Sequence, residues 1–217
     1  MIKVESALLK QMFQYVLPAC EKANDLYRFV VVESRNGRLY VAATDSLFAI
    51  VVSVSDGSVW HTYDRERVVV SGKAVCDFLN VSTAEKTVLL RKGEVCKERK
   101  IARLREELTY SAQLSRLLDV TIEVWDEKFA CDLKSEEVKV ERIGPKKSKM
   151  RIVVSSRETT VSKVYFQLAR QIIGRCPHQY CIAYEFVRGG VLLIRAKRNP
   201  FLIECAIAPI VGQPEGR

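Results

Sequence analysis

Histidine is scarce in this chain: His61 and His178 are the only two among 217 residues. Acid–base catalysis and zinc binding both lean on that side chain, so most such sites are removed at the outset. His61 stands in "SVWHTYD", which reads as loop. His178 stands in "CPHQYC" between Cys176 and Cys181. Those three would need a fourth ligand from elsewhere, and their spacing matches no standard zinc pattern. No Ser-His-Asp or Cys-His grouping follows from spacing, and the phosphate-cradling G-x-x-x-x-G-K-S/T is missing. Carboxylates alternate with bases as surface pairs do. The expectation is a protein that is not an enzyme, with no metal and no cofactor.

Other absences narrow the class further. No run of eighteen apolar residues occurs, so no membrane-spanning helix is expected. Lys10, Gln11 and Gln14 interrupt the first apolar segment, so it does not read as a signal peptide. The seven cysteines are odd in number, scattered, and never spaced C-x-x-C. That usage fits reduced thiols in a cytosolic protein. Acidic residues are outnumbered: 26 Asp and Glu face 35 Lys and Arg, a formal charge of +9. Such a balance favours an anionic partner, namely DNA, RNA or an acidic surface.

What is present is repetition. Sliding the sequence against itself by about 150 positions brings Lys10 onto Lys163, Phe13 onto Phe166 and Gln14 onto Gln167. The same shift pairs Tyr27 with Tyr180, Gly37 with Gly190, Leu39 with Leu192, Phe48 with Phe201 and Ile50 with Ile203. Each copy reads as a helix followed by three short strands. The first has a helix over 6–22 and strands "YRFVVVES", "GRLYVAAT" and "SLFAIVVSVS". The second has a helix over 160–175 and strands "QYCIAYEFV", "GVLLIRAK" and "PFLIECAIAPIV". Asn36-Gly37 and Gly189-Gly190 are hairpin turns by composition.

Two further modules lie between. "RVVVSGKAVCDFLN" (67–80) reads as a strand running into a helix and resembles "RIVVSSRETTVSKVYFQ" (151–167). Strands are expected at 87–91 and 95–101. An amphipathic helix follows over 102–118, with Leu104, Leu108, Ala112 and Leu118 as its stripe. "VTIEVWD", "KFACDL" and "EVKVERI" complete the third module, and 144–150 is a loop. The chain thus predicts an α+β fold of four strand-helix-strands modules. Two modules make a domain, 1–98 and 99–217, with the boundary in the connector 93–100.

Helical phase sorts the faces. Leu8, Met12 and Val16 are expected in the core of the first helix, and Val161, Tyr165, Leu168 and Ile172 in that of the last. Lys10 and Gln14 share a second face; Lys163, Gln167 and Arg170 share its counterpart, and none of these positions is a carboxylate. Lys73, Arg103 and Arg116 could extend this surface. Lysine, arginine and glutamine so placed can meet phosphate oxygens without reading bases. The alternative is a plain solvated helix face.

These stretches resemble a known family. "GRLYVAATDSLFAIVVSVS" is similar to the strand pair of DNA sliding clamps in which an Ala-Thr-Asp turn joins two strands. "RVVVSGKAVCDFLN" resembles the strand and inner helix that follow it in bacterial-type clamps. "PFLIECAIAPIV" resembles their closing strand and its apolar-Pro-apolar tail. The resemblance covers roughly 1–92 and 150–211. It implies two clamp-like domains, with helices on an inner face and antiparallel sheets outside. It implies a non-enzymatic ring of three subunits around duplex DNA, opened by a clamp loader and tethering a DNA polymerase. Lys10, Gln14, Lys73, Lys163, Gln167 and Arg170 would then face DNA. Partner peptides would dock near the interdomain connector and at Pro209, Ile210 and Val211. The dense basic runs 91–105 and 139–151 depart from clamps whose overall charge is negative. They suit a clamp-fold DNA-binding or transcription accessory protein that does not encircle DNA. An interaction protein of another α+β fold, binding acidic proteins, is the third reading.

Overall fold

The structure is a computed structural model. It describes residues 2–21, 29–35, 37–45, 47–54, 59–61, 65–80, 87–91, 94–96, 101–102, 138–144, 147–174, 182–186, 190–198 and 200–210. The chain divides into two compact units. One is Met1–Ala130 with Asn199–Leu202; the other is Cys131–Arg198 with Ile203–Arg217. The connector expected to hold the domain boundary lies largely outside the described residues, as do the third helix expected over 102–118, apart from Ala102, and the strands expected over 120–126 and 128–133.

Unit 1 opens with strand β1 (Ile2–Glu5) and helix α1 (Ser6–Glu21). Strands β2 (Phe29–Arg35), β3 (Arg38–Thr44) and β4 (Phe48–Val54) follow, then β5 (Val59–His61) and β6 (Arg65–Ser71). Helix α2 (Gly72–Asn80) precedes β7 (Thr87–Arg91), β8 (Glu94–Cys96) and β9 (Ile101–Ala102). Two antiparallel arrays result, ordered β5-β1-β7-β8-β9 and β4-β3-β2-β6. His61 ends β5 rather than sitting in a loop, with its backbone opposite Ile2. The strand expected over 95–101 is instead a hairpin of β8 and β9, so Ala102 is strand and not helix.

Strands β2 to β4 are buried on both faces. Residues on one face alternate with those on the other, and here neither set is polar enough for water. Val31, Tyr40, Ala42 and Val51 form a separate cluster that includes no helical residue. Helix α1 packs on β2, β3 and β4, and α2 packs on β6 and β2. Leu8, Met12 and Val16 are buried as their spacing predicts, joined by Leu9 and Phe13. Pro18 lies inside α1. It can offer no N–H to the carbonyl four residues back, which belongs to the exposed Gln14, where water can substitute. Ser71 starts α2, its Oγ accepting from the Ala74 N–H at 3.3 Å.

Thr44 and Asp45 organise the turn between β3 and β4. Asp45 Oδ1 accepts from the N–H of Leu47 (3.0 Å) and of Phe48 (2.8 Å). Thr44 Oγ1 donates to the Phe48 carbonyl at 2.8 Å, and the Asp45 N–H reaches the same oxygen at 3.0 Å. A side chain thus mimics backbone and locks the turn. Asp45→Ala is expected to lower stability by about 1–3 kcal/mol, since two donors lose their acceptor. Urea unfolding measures it; an unchanged midpoint would show that water serves equally well.

Unit 2 contains β10 (Val138–Ile143), β11 (Lys149–Val154) and β12 (Arg157–Ser162) in a three-stranded antiparallel sheet of that order. Helix α3 (Lys163–Gly174) packs on β11 and β12. Strands β13 (Ile182–Phe186), β14 (Leu192–Arg198) and β15 (Phe201–Ile207) are neighbours in sequence order. The repeat holds in the coordinates: β4 shifted by the repeat spacing lands on β15, and β3 lands within one residue of β14. It fails at the helix start. Residues 160–162 finish β12, so α3 begins at Lys163 and Val161 belongs to the sheet. The similarity of 151–167 to 67–80 is therefore displaced: a whole hairpin intervenes, and β12 with α3, not β11, matches β6 with α2. Register distinguishes the two glycine turns. Arg35 opposes Arg38 across a two-residue loop with Gly37 at φ 72°. Phe186 opposes Leu192 across five residues, with Gly190 at φ 76°. Both glycines occupy the left-handed region that other residues avoid.

Candidate nucleic-acid interface

Each unit presents a polar helical face. On α1, Gln11 and Gln14 are exposed and Lys10 is half-buried. The Lys10 Nζ lies 5.5 Å from the centroid of the Phe78 ring. That ring meets Phe13 edge-on at 5.8 Å, closing the seam between α1 and α2. Lys10 therefore divides its charge between solvent and an aromatic face. Lys73 on α2 is exposed, and so is Asp77 one turn on. A carboxylate thus does enter the face to which Lys73 belongs.

On α3, Gln167 and Arg170 are exposed and Lys163 is half-buried. The Lys163 N–H donates to the Ser148 carbonyl at 3.1 Å, fixing the helix start to the loop before β11. The core side differs from the expected stripe. Phe166, Leu168, Ala169, Ile172 and Ile173 are buried, whereas Tyr165 is only half-buried. Leu168 and Ile172 are buried as the spacing predicts, and Phe166, Ala169 and Ile173, each one position after a residue of the expected stripe, join them. Gln11 and Gln171, both exposed, extend the amide surface. Their spacing to Gln14 and Gln167, three and four residues, was the available signal.

A cleft of about 560 Å³ opens in unit 2, lined by Val140, Arg142, Met150, Phe166, Gln167, Arg170 and Gln171. Its floor is apolar, and among the described residues no carboxylate lines it. Burial pushes the nearby Tyr184 phenol up, opposed by the Arg170 charge. The basic run 139–151 forms the β10–β11 hairpin, where Lys139, Arg142, Lys147 and Arg151 are exposed. Arg151 is held by Glu158, Nη2 to Oε2 at 2.5 Å. Arg103 and Arg116 lie outside the described residues.

The expected docking tail is tied to unit 2. Pro209 bridges Val161 on β12, and the Ile210 N–H donates to the Thr160 carbonyl at 2.7 Å. Both residues are half-buried, and neither lines the cleft. Val211 lies outside the described residues.

Among the described residues, no three of His, Cys, Asp and Glu gather as metal ligands. His178, Cys176 and Cys181 are not among them. Cys205 is fully buried, and its thiol is pushed far up by that burial and by the Glu204 charge. A thiol so held is inert. Iodoacetamide is expected to leave Cys205 unmodified in the folded chain and to label it in urea, as peptide mass mapping would show. Native-state labelling would contradict the burial. No described helix is long and apolar enough to cross a membrane.

No protein-family model and no curated protein matches the sequence. Solved structures do. The Helicobacter pylori beta clamp, bound to a DNA ligase peptide, is similar at TM-score 0.60 and 12% identity, over 97% of this chain and 66% of that one. The DNA polymerase sliding clamp of Bacillus subtilis is similar at 0.60 and 16%, over 97% and 64%. A. fulgidus PCNA, bound to the C-terminal region of FEN-1, is similar at 0.57 and 10%, over 98% and 100%. The chain spans about two thirds of the bacterial clamps and the whole of the archaeal one. The α+β arrangement of modules described above is the fold of the DNA sliding clamps.

Proposed function

We propose that this protein is a DNA sliding clamp or processivity factor, acting on duplex DNA without reading bases and without catalysing a reaction. The observation that carries this reading is the polarity of α1 and α3. On a clamp fold, both bury an apolar sector; α1 presents lysine and glutamine and α3 lysine, arginine and glutamine, with no carboxylate among the exposed positions described on either. Cations at such positions meet phosphate oxygens, and amides donate to them. Diffuse contacts of this kind hold a duplex while permitting it to slide. Lys10, Gln14 and Lys73 in unit 1, and Lys163, Gln167 and Arg170 in unit 2, are the proposed contacts. Two units per chain suit three chains in a ring, with a clamp loader to open it and a DNA polymerase as its client. Partner peptides would dock near the interdomain connector and at the tail from Pro209 to Val211. That clamps bind peptides is supported by the Helicobacter pylori beta clamp bound to a DNA ligase peptide and A. fulgidus PCNA bound to the C-terminal region of FEN-1.

Retention on nicked circular duplex tests this. The chain is expected to remain on circles at a salt concentration that removes direct contacts, and to be lost when the circles are cut. Mass on DNA is expected at three copies. The exposed cations of the β10–β11 hairpin favour a second reading, in which the protein adheres to DNA from one side. Equal, salt-sensitive binding to circles and linear duplex would support that reading and dismiss the ring.

A further inference from the structure

Diffuse duplex contacts need cations and amides on a surface; they do not need a recess with an apolar floor. The cleft of about 560 Å³ in unit 2 is such a recess. Arg142 from β10 and Arg170 from α3 stand at it, both exposed, and Arg142 lies opposite the buried Met150 in the β10–β11 register. Met150 and Phe166 form its floor, and Val140, 40% exposed, is an apolar wall. Gln167 and Gln171 are four residues apart on α3, so both amides reach the cleft from one helical face. We infer that this cleft seats an unpaired nucleotide of single-stranded DNA, its base on the apolar side and its phosphates on Arg142 and Arg170, an inference that rests on α3 being a DNA-facing helix.

The lining decides between occupants. A paired base keeps its faces stacked and its edges bonded inside the duplex, and entering a cleft would require its extrusion. An unpaired base has both faces open, and covering one with apolar or aromatic side chains or an arginine plane is favourable for any base. Single-strand sites combine such a platform with a positive track for the backbone. The cleft volume also lies within the range of about 300–1,000 Å³ that holds small organic ligands. A free phosphate or a run of acidic side chains would satisfy the two guanidinium groups and leave the apolar floor against water. Primary amides both donate and accept, so Gln167 and Gln171 can meet the edge of whichever base is seated. Lys163, a proposed duplex contact, does not line the cleft. It precedes Gln171 by eight positions, about 12 Å along the helix. One helix would thus hold paired and unpaired DNA side by side, as they meet at a primer–template junction.

The test compares, by fluorescence anisotropy on the full chain, a short oligothymidylate with an abasic strand of the same length and charge. The thymidine strand is expected to bind about tenfold more tightly, the contribution of one seated base. Arg142→Ala is expected to weaken the thymidine strand about fourfold near 0.15 M salt, lowering its salt slope by roughly 0.7. Val140→Asp sets a carboxylate at the cleft wall and is expected to bring the two strands to equal affinity. Lys10→Ala, in unit 1, is expected to keep their ratio. A strand carrying 4-thiothymidine is expected to photocrosslink to the peptides containing Val140, Met150 or Phe166. Equal affinity of the parent for both strands, equal displacement by an aspartate oligomer of the same charge, or crosslinks confined to other segments overturns the inference. Retention on nicked circles is read separately. Thymidine preference without circle retention would leave the cleft and remove the ring; circle retention without thymidine preference would leave the ring and remove the cleft.

Discussion

Alanine at Lys10, Lys163 and Arg170 together is expected to lower duplex-DNA affinity by about a hundredfold per chain at physiological salt, equally for every sequence. Each phosphate neutralised contributes about 0.9 to the slope of log affinity against log salt. Three lost contacts lower that slope by roughly 2.7, which amounts to about two decades near 0.15 M. Uniformity across sequences follows because these side chains would meet phosphates, not base edges. The three do not contribute equally. Arg170 is exposed, while Lys163 and Lys10 are half-buried and Lys10 sits over the Phe78 ring. Single substitution should therefore cost most at Arg170 and least at Lys10. Lys10→Ala should also lower stability by about 0.5–1 kcal/mol through the lost ring contact. Fluorescence anisotropy across a salt series reads both quantities. A triple variant that keeps the parent slope would remove α1 and α3 from the DNA-facing surface.

The largest loss of stability is expected from Glu204→Leu. The Arg195 Nε donates to Glu204 Oε2 at 2.6 Å, and the two side chains are 7% and 2% exposed. Breaking one half of such a pair leaves a charge in a low dielectric, at a cost of about 3–5 kcal/mol. Replacing both, Arg195→Met with Glu204→Leu, should recover most of that loss. The pair's own attraction is largely offset by the desolvation of its members. Urea midpoints for the two single variants and the double variant decide this. A double variant as unstable as Glu204→Leu would show that the pair contributes net stability. The link between Arg67 and Glu33, cross-strand partners on β6 and β2, should behave similarly but more mildly. There the arginine is 20% exposed, and water can share its charge.

Neither buried pair was visible in the sequence. Glu33 in "VVVES" and Glu204 in "LIECA" looked like breaks in apolar strands, and only strand neighbours in space explain their tolerance. The repeat, in contrast, was legible along the strands: Phe48 and Phe201, which it pairs, begin β4 and β15, although the runs read from the sequence began two and one residues earlier. The helical faces were legible for α1, where Leu8, Met12 and Val16 are all buried. On α3 the same periodicity assigned Val161 to the helix; it is buried, but on β12, because a single apolar residue at an element boundary fits either period. The hairpin of β11 and β12 was missed for a related reason. The stretch 151–167 was read as one strand running into a helix, yet Ser155 adopts φ 54° and turns the chain there.

By itself the sequence determined which segments form modules, which side of each helix is apolar, and that cations and amides occupy the other side. These are local matters of spacing and side-chain chemistry, and they survive any arrangement of the modules. Tertiary structure alone decided that Lys10 rests on Phe78, that Arg142 joins Arg170 at one cleft, and that Arg195 meets Glu204. Each depends on distances between segments far apart in the chain, which residue spacing does not encode.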